Sequence, residues 1–236
     1  MNGWLKKLVI VGTTGSGKTT FLKQLPGPFK GSEVERNVGT EKKMDETFNT
    51  IHRDQFQNST TTIGINMKSI LFLTTRANHF SLYPLEKNRL PINREEIDQI
   101  FPVAIFDTAG QERFRFMQEI GLKGANGVII FADGSNISSI EKVADFLQMV
   151  EEEEKRQGKK IPTLVFINKR DLQKKGTYIG KEAVLRWLSE TETRKIFETT
   201  IYDFNTFLKP LREFLLEIEG FPVPIENIQP VARCSS

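Results

Sequence analysis

The stretch GTTGSGKTTF, Gly12 to Phe21, follows directly on the apolar run LKKLVIV, Leu5 to Val11, and this junction decides the fold. Its pattern, G-x-x-x-x-G-K-[ST], predicts a loop that holds a phosphate chain. Gly12, Gly15 and Gly17 let the backbone curl so that its N–H groups face a β-phosphate, helped by the start of a helix. Thr13, Thr14, Ser16 and Thr20 complete the cradle. Lys18 is placed to pair with β- and γ-phosphate oxygens, and Thr19 to ligate Mg²⁺. A buried strand feeding a glycine loop and then a helix is the opening of an α/β fold. The loop alone does not say which nucleotide is held, or why.

Working outward, the first helix is expected from Lys18 to about Leu25, stopped by Pro26, Gly27 and Pro28. A polar segment of mixed charge follows, about 30–59. Ile63 to Leu73 (IGINMKSILFL) and Pro102 to Asp107 (PVAIFD) read as a strand pair joined by a second polar excursion, 74–100. Gly127 to Ala132 (GVIIFA) and Pro162 to Ile167 (PTLVFI) are continuous apolar runs of the kind buried on both faces of a sheet. Between them a helix is expected with Ile140, Val143, Ala144 and Leu147 on one face. Ser138 and Glu141 form its capping box, Gly158 its stop, and Glu151 to Glu154 its solvated end. A further helix near Lys181 to Glu190, a strand around Ile196 to Ile201 and a last helix carrying Leu211, Phe214, Leu215 and Ile218 complete the alternation. Pro210 is tolerable only in the first turn of that last helix. These elements predict a mainly parallel sheet between two helical layers, with a domain over 1–220 and a proline-punctuated tail over 221–236.

The 236 residues suit one domain with insertions. With 33 basic residues scattered among 30 acidic ones, no basic patch stands out, and nucleic acid is not an expected partner. A single cysteine, Cys234, allows no internal disulfide and suits a reducing compartment. No run approaches the roughly 18 apolar residues of a membrane helix. MNGWLKKLVIVG has too short an apolar run for a signal peptide. Asn2 stands where myristoylation needs glycine, and the final Cys-Ser-Ser falls short of a prenylation box. The expectation is a cytoplasmic protein, with membrane association through a partner or Cys234 left open. His52 and His79 are isolated and read as solvated surface residues.

The base is specified by NKRD, Asn168 to Asp171, directly after PTLVFI. A carboxylate at a strand end accepts hydrogen bonds from both N1–H and the exocyclic amine of guanine. Adenine would leave that carboxylate unpaired. Asn168 can tie this loop to the phosphate loop, and the Lys169 stem can lie along the base plane. In DTAGQERF, Asp107 to Phe114, Asp107 can hold Mg²⁺ through a water, the Gly110 N–H can reach a γ-phosphate, and Gln111 can orient an attacking water. In TTTIG, Thr60 to Gly64, Thr62 can ligate Mg²⁺ through its hydroxyl and the γ-phosphate through its N–H. Two loops held only by the triphosphate make a switch.

The combination of GTTGSGKT, TIG, DTAGQERF and NKRD resembles the Ras superfamily of small GTPases, and DTAGQERF and TIG are closest to its Rab-like members. The runs GKTTFL, TTTIGIN and GQERFRFM are also similar to the small Ras-like GTPases of bacteria and archaea. The resemblance covers Leu5 to about Glu219, outside the two excursions. It implies a P-loop NTPase fold of three layers, α/β/α, with a mostly parallel six-stranded sheet and one antiparallel edge strand. It also implies slow hydrolysis of GTP to GDP with Mg²⁺. Exchange and GTPase-activating proteins would set the state, and effectors would bind the switch segments. Roadblock- or longin-type domains act as partners in prokaryotic relatives.

Some positions depart from the family pattern. Thr19 and Thr62 stand 43 positions apart, roughly twice the family's spacing. Phe29 is a candidate cover for the guanine edge, with a core or loop role as the alternative. The family's Ser-Ala-Lys is replaced by Thr200, Ile201 and Tyr202; the Ile201 N–H can still meet the guanine carbonyl. Thr14 narrows the room for an inserted arginine, so activation uses another geometry or hydrolysis stays slow. Arg113 and Arg115 read as partner-binding residues. Two rival functions are a GTP-loaded scaffold that does not hydrolyse, and an ATP-dependent small-molecule kinase. Gln111 and Thr62 argue against the first, Asp171 against the second.

Overall fold

The computed structural model describes residues 5–26, 65–77, 79–85, 94–108, 110, 115–182, 185 and 195–223. The expectations for the excursion at 30–59, for Phe29, His52, Arg113 and Cys234, and for most of the helix at 181–190 lie outside these residues.

Strand β1, Lys6–Gly12, takes the centre of the sheet because its residues alternate between two apolar faces. Leu8 and Ile10 point into one core with Phe21 and Leu22 of helix α1, Lys18–Gln24. Val9 and Val11 point into the other. Both faces are therefore dry, as a parallel strand between helical layers requires. On either side of β1 run β4, Ile97–Thr108, and β5, Gly127–Asp133, both parallel to it. Strands β6, Thr163–Asn168, and β7, Lys195–Glu198, extend the parallel set. Helix α3, Ile137–Gln157, and the last turn of α2, Arg115–Leu122, cover one face. Helices α1 and α4, Asn205–Leu215, cover the other. On that second face Phe21, Phe131, Phe166 and Phe207 form a ring cluster, with centroids 5.0 to 6.3 Å apart. The three-layer α/β/α class is as the sequence implied.

The strand count differs. Among the described residues the sheet has seven strands; with β2, Ile65–Thr75, and β3, Phe80–Pro84, the order is β3-β2-β4-β1-β5-β6-β7. Strand β2, Ile65–Thr75, pairs antiparallel with β4 as expected, but it is not the edge. The excursion at 74–100 contains β3, Phe80–Pro84, antiparallel to β2, and the first residues of β4. In IDQIF, Ile97 and Ile100 are buried while Asp98 is exposed. A strand with one wet face reads as polar loop until its partner is known. Leu71, Leu73, Ile97 and Ile100 then form a small core of their own. Past α4, Phe221 packs edge-on against Phe101, and the Val223 N–H donates to Ile100 O at 2.9 Å. His79 is exposed, as expected. No helix among the described residues is long and apolar enough to cross a membrane.

The helices bring three corrections. The α3 cap is Asn136, whose side chain accepts from Ser138 N, so the helix starts earlier than a Ser138 cap would set it; Gly158, at φ 68°, ends it as expected. Ala144 is exposed, and Phe146, Met149 and Val150 join Ile140, Val143 and Leu147 in the buried face. Pro210 sits inside α4 rather than in its first turn. The missing backbone bond costs about 3 kcal/mol, offset by burial of Pro210, Phe207, Leu211 and Phe214.

The run Glu151 to Glu154 is only half solvated, for Glu153 and Glu154 are buried. Glu153 Oε1 accepts from Gly124 N and Gln157 Nε2, each at 2.9 Å, and its Oε2 meets Arg156 at 2.6 Å. Glu154 Oε1 accepts from Ile161 N at 2.9 Å. Burial works against the Glu153 charge, but the Gly124 N–H, the Gln157 amide, Arg156 and Lys7 outweigh it and hold the carboxyl below the ordinary range. A depressed carboxyl contributes stability that is present above pH 4.5 and is lost as pH falls through its folded pKa. Glu153→Ala is therefore expected to lose about 2 kcal/mol at pH 7, by stranding the Gly124 N–H. Urea denaturation should show the gap to the unmodified protein closing below pH 4.

Candidate nucleotide site

The parallel strands all end on one edge of the sheet, and the predicted residues gather there. Gly12 closes β1, Asp107 and Thr108 close β4, Asp133 closes β5 and Asn168 closes β6. The carboxyl ends of parallel strands are where such folds bind ligands.

In the phosphate loop, Gly12, Gly15 and Gly17 all have positive φ, at 148°, 77° and 102°. A Cβ on Gly12 would lie 2.2 Å from Phe131 O, and one on Gly17 would lie 2.2 Å from Asn168 Nδ2. The loop can thus sit this close to β5 and β6 only with glycine at these two positions. Ser16 is buried and its hydroxyl donates to Thr13 O at 2.8 Å, tightening the turn. The Thr13 hydroxyl meets that of Ser139 on α3. Thr14 is exposed on the loop and Thr20 on the first turn of α1.

Lys18 is buried, with Nζ donating to Gly12 O at 2.9 Å and Thr13 O at 2.7 Å. Burial pushes its pKa down to about 8, opposed by the nearby Asp107 carboxylate. An ammonium so desolvated gains strongly from an anion brought beside it. The Thr19 hydroxyl donates to Asp107 Oδ2 at 2.7 Å. A hydroxyl and a carboxylate are hard oxygen donors, suited to a cation such as Mg²⁺, which takes few protein ligands and completes its shell with water and phosphate. Among the described residues no cluster of three or more His, Cys, Asp or Glu could hold a metal. Gly110 lies against this loop: a Cβ there would meet Lys18 Nζ at 2.5 Å and Thr14 N at 2.7 Å.

On the base side, Asn168 Nδ2 donates to Ser16 O at 2.9 Å, the tie expected from the sequence. Its Oδ1 is buried and has no partner in the protein, so the position suits a ligand that brings a donor. Asp171 Oδ1 accepts from the Thr200 hydroxyl at 2.7 Å, which orients the carboxylate. Where the family's lysine is missing, the loop is held by other means. Gln24 on α1 donates to Ile201 O at 2.6 Å, and Thr200 N donates to Thr206 Oγ1 at 3.2 Å. Ile201 also lies beside Gly17, with Cγ2 3.5 Å from where a Cβ would be. Tyr202 is left exposed.

The structure thus brings together the phosphate loop, Asp107, Gly110, Asn168, Lys169, Asp171, Thr200 and Ile201. Thr62 and Gln111 lie outside the described residues. Three features were missed from the sequence. Lys169 has φ 69°, a left-handed backbone rare for a side chain with a Cβ. Its ammonium pairs with Asp133 Oδ2, while Asp133 Oδ1 accepts from Ser135 N and Oγ. The signal was the acid closing GVIIFAD, one strand over from the asparagine. Ser139, bonded to both Thr13 and Asp133 N, carried no signal beyond its place in the first turn of α3. Nor did Gln24, a polar residue at the end of α1.

Comparison with known proteins agrees with this geometry. A model described as Ras family matches residues 86–206, more than half of the chain. The chain is 36% identical over 70 residues to Ras-related protein RabZ of Dictyostelium discoideum, covering 30% of this chain and 29% of that one. It is 37% identical over 70 residues to an uncharacterized protein of Methanocaldococcus jannaschii, covering 30% and 41%. Against Ras-related protein Rab-7b of Mus musculus it is 25% identical over 186 residues, covering 79% and 69%. The matched stretches thus span less than half the length of the first two. A phosphate loop tied to the end of β6, and a family match over residues 86–206, lead to one conclusion: the chain belongs to the Ras family of small GTPases.

Proposed function

We propose that the protein is a guanine-nucleotide switch that binds GTP and GDP with Mg²⁺ and hydrolyses GTP slowly. The observation that carries this reading is the bond from Asn168 Nδ2 to Ser16 O, which holds the base-reading loop against the phosphate loop. Lys18 would meet the β- and γ-phosphates, Thr19 and Asp107 would hold Mg²⁺, and Asp171 would read the guanine edge. Bound Mg²⁺ would supply charge neutralisation at the phosphates. The Gly110 N–H and Thr62 would engage the γ-phosphate and release when it leaves, and Gln111 would orient the attacking water. Thr14, exposed on the loop, would narrow the room for an activating arginine, so activation would use another geometry or turnover would stay slow. Exchange factors, activating proteins and effectors recognising the switch segments would set and read the state.

The test is single-turnover hydrolysis of bound GTP, with ATP in parallel, with and without Mg²⁺. Slow Mg²⁺-dependent GTP loss that Gln111→Ala abolishes, with none for ATP, is the expected outcome. Tight GTP binding without turnover in either protein would favour the loaded scaffold. Turnover of ATP would overturn the assignment.

A further inference from the structure

Asn66 is fully buried, and neither of its side-chain amide atoms has a hydrogen-bond partner in the protein. Its position in the sheet says what it faces. In the β2–β4 ladder Asn66 stands directly opposite Asp107. Residues paired in this way point to the same face, with Cβ atoms about 4.5 to 5.5 Å apart. That face is the one under α1, because Ile70 and Phe72 of β2 and Val103 and Ile105 of β4, at the same alternation, join its core with Phe21 and Leu22. Two residues further along β2, Lys68 Nζ donates to Leu25 O at the end of α1. At the start of α1 the Thr19 hydroxyl donates to Asp107. Asn66 therefore lies beneath the first turn of α1, in one cluster with Thr19 and Asp107.

A buried amide with both atoms unbonded destabilises a fold unless something outside the protein satisfies it. The neighbours decide what that is. Thr19 and Asp107 are the residues assigned above to the divalent cation, and water bound to such a cation carries polarised protons that need acceptors. We propose that Asn66 is a positioning residue for this cation: its amide oxygen accepts from a cation-bound water beside Asp107 and Thr19. The inference rests on the reading of a guanine nucleotide held with Mg²⁺.

The test is the release rate of a fluorescent GDP analogue as a function of Mg²⁺ concentration. In Asn66→Leu, the Mg²⁺ needed for half-maximal retention should rise about 10- to 100-fold, the loss typical when a partner of a metal ligand is removed. The release rate in excess chelator should not change, which a general loosening of the fold would not allow. Asn66→Ser, which keeps a neutral hydroxyl acceptor, should recover part of the retention. Asn66→Ala repeats the test should the leucine variant not fold. If the leucine or alanine variant folds and holds nucleotide at the unmodified protein's Mg²⁺ requirement, Asn66 has no such role. If the unmodified protein itself shows no Mg²⁺-dependent retention, the nucleotide reading fails and this inference with it.

Discussion

Asp171→Ala is expected to weaken GTP and GDP binding by about 10⁴-fold, with no change in the weak binding of ATP. The reason is chemical. A guanine edge presents two adjacent N–H donors, and a carboxylate is the one side chain that accepts both; adenine offers no such pair. Asp171 already receives the Thr200 hydroxyl on Oδ1, so its plane is set before any ligand arrives. Thr200→Val, which removes that orienting bond and a longer one from Tyr202 N at 3.4 Å, should cost about tenfold. Asp171 and Thr200 are both partly exposed, so neither change should unfold the protein. Titration with fluorescent GDP and ATP analogues decides the matter: equal losses for both nucleotides would mean that Asp171 supports the loop rather than reading the base.

Gly17→Ala should cost about 2 to 4 kcal/mol of stability and at least about 100-fold in nucleotide affinity. Two effects add. At φ 102° the residue occupies a region that disfavours any Cβ. The new methyl would also lie 2.2 Å from Asn168 Nδ2 and 3.4 Å from its Cγ. Asn168 is fully buried and bonded to Ser16 O, so it cannot swing aside without breaking the tie between the two halves of the site. Gly15→Ala is the control, because Gly15 is also left-handed, at φ 77°, but nothing lies within 4 Å of the added Cβ. It should lose only about 1 to 2 kcal/mol, the left-handed penalty. Urea denaturation of the pair separates clash from conformation. Equal losses would show that Asn168 can yield.

Much of the fold was legible in the sequence for local reasons. The runs that became β1, β5 and β6 are apolar without interruption because both faces are covered, and such runs look alike in any context. The phosphate loop was legible because its glycines answer to backbone angles and close approach at Gly12 and Gly17, properties of those residues themselves. The tie from Asn168 to the phosphate loop was legible because an amide at a strand end is itself a statement of hydrogen-bonding chemistry.

What the sequence did not disclose depends on partners far along the chain. Strand β3 and the first residues of β4 passed for a polar excursion, since Asp98 faces outward, Gln99 meets Thr74, and the apolar partners at 71 and 73 had to be found across space. Glu153 and Glu154 looked like a solvated helix end, and only the approach of Gly124 and Ile161 turned them into buried acceptors. Gln24 looked like any polar helix residue until Ile201 came beside it. Lys169 gave no sign of its left-handed backbone or of Asp133. Asn66 read as one polar residue in an apolar strand until the ladder set it opposite Asp107. The sequence by itself determined which residues can curl a glycine loop, bond from a strand end and run through the middle of a sheet, because those are properties of a residue and its immediate neighbours. Tertiary structure alone decided which buried polar groups meet, because strand register and helix docking choose among many partners, and a carboxylate or amide costs or stabilises according to the partner chosen.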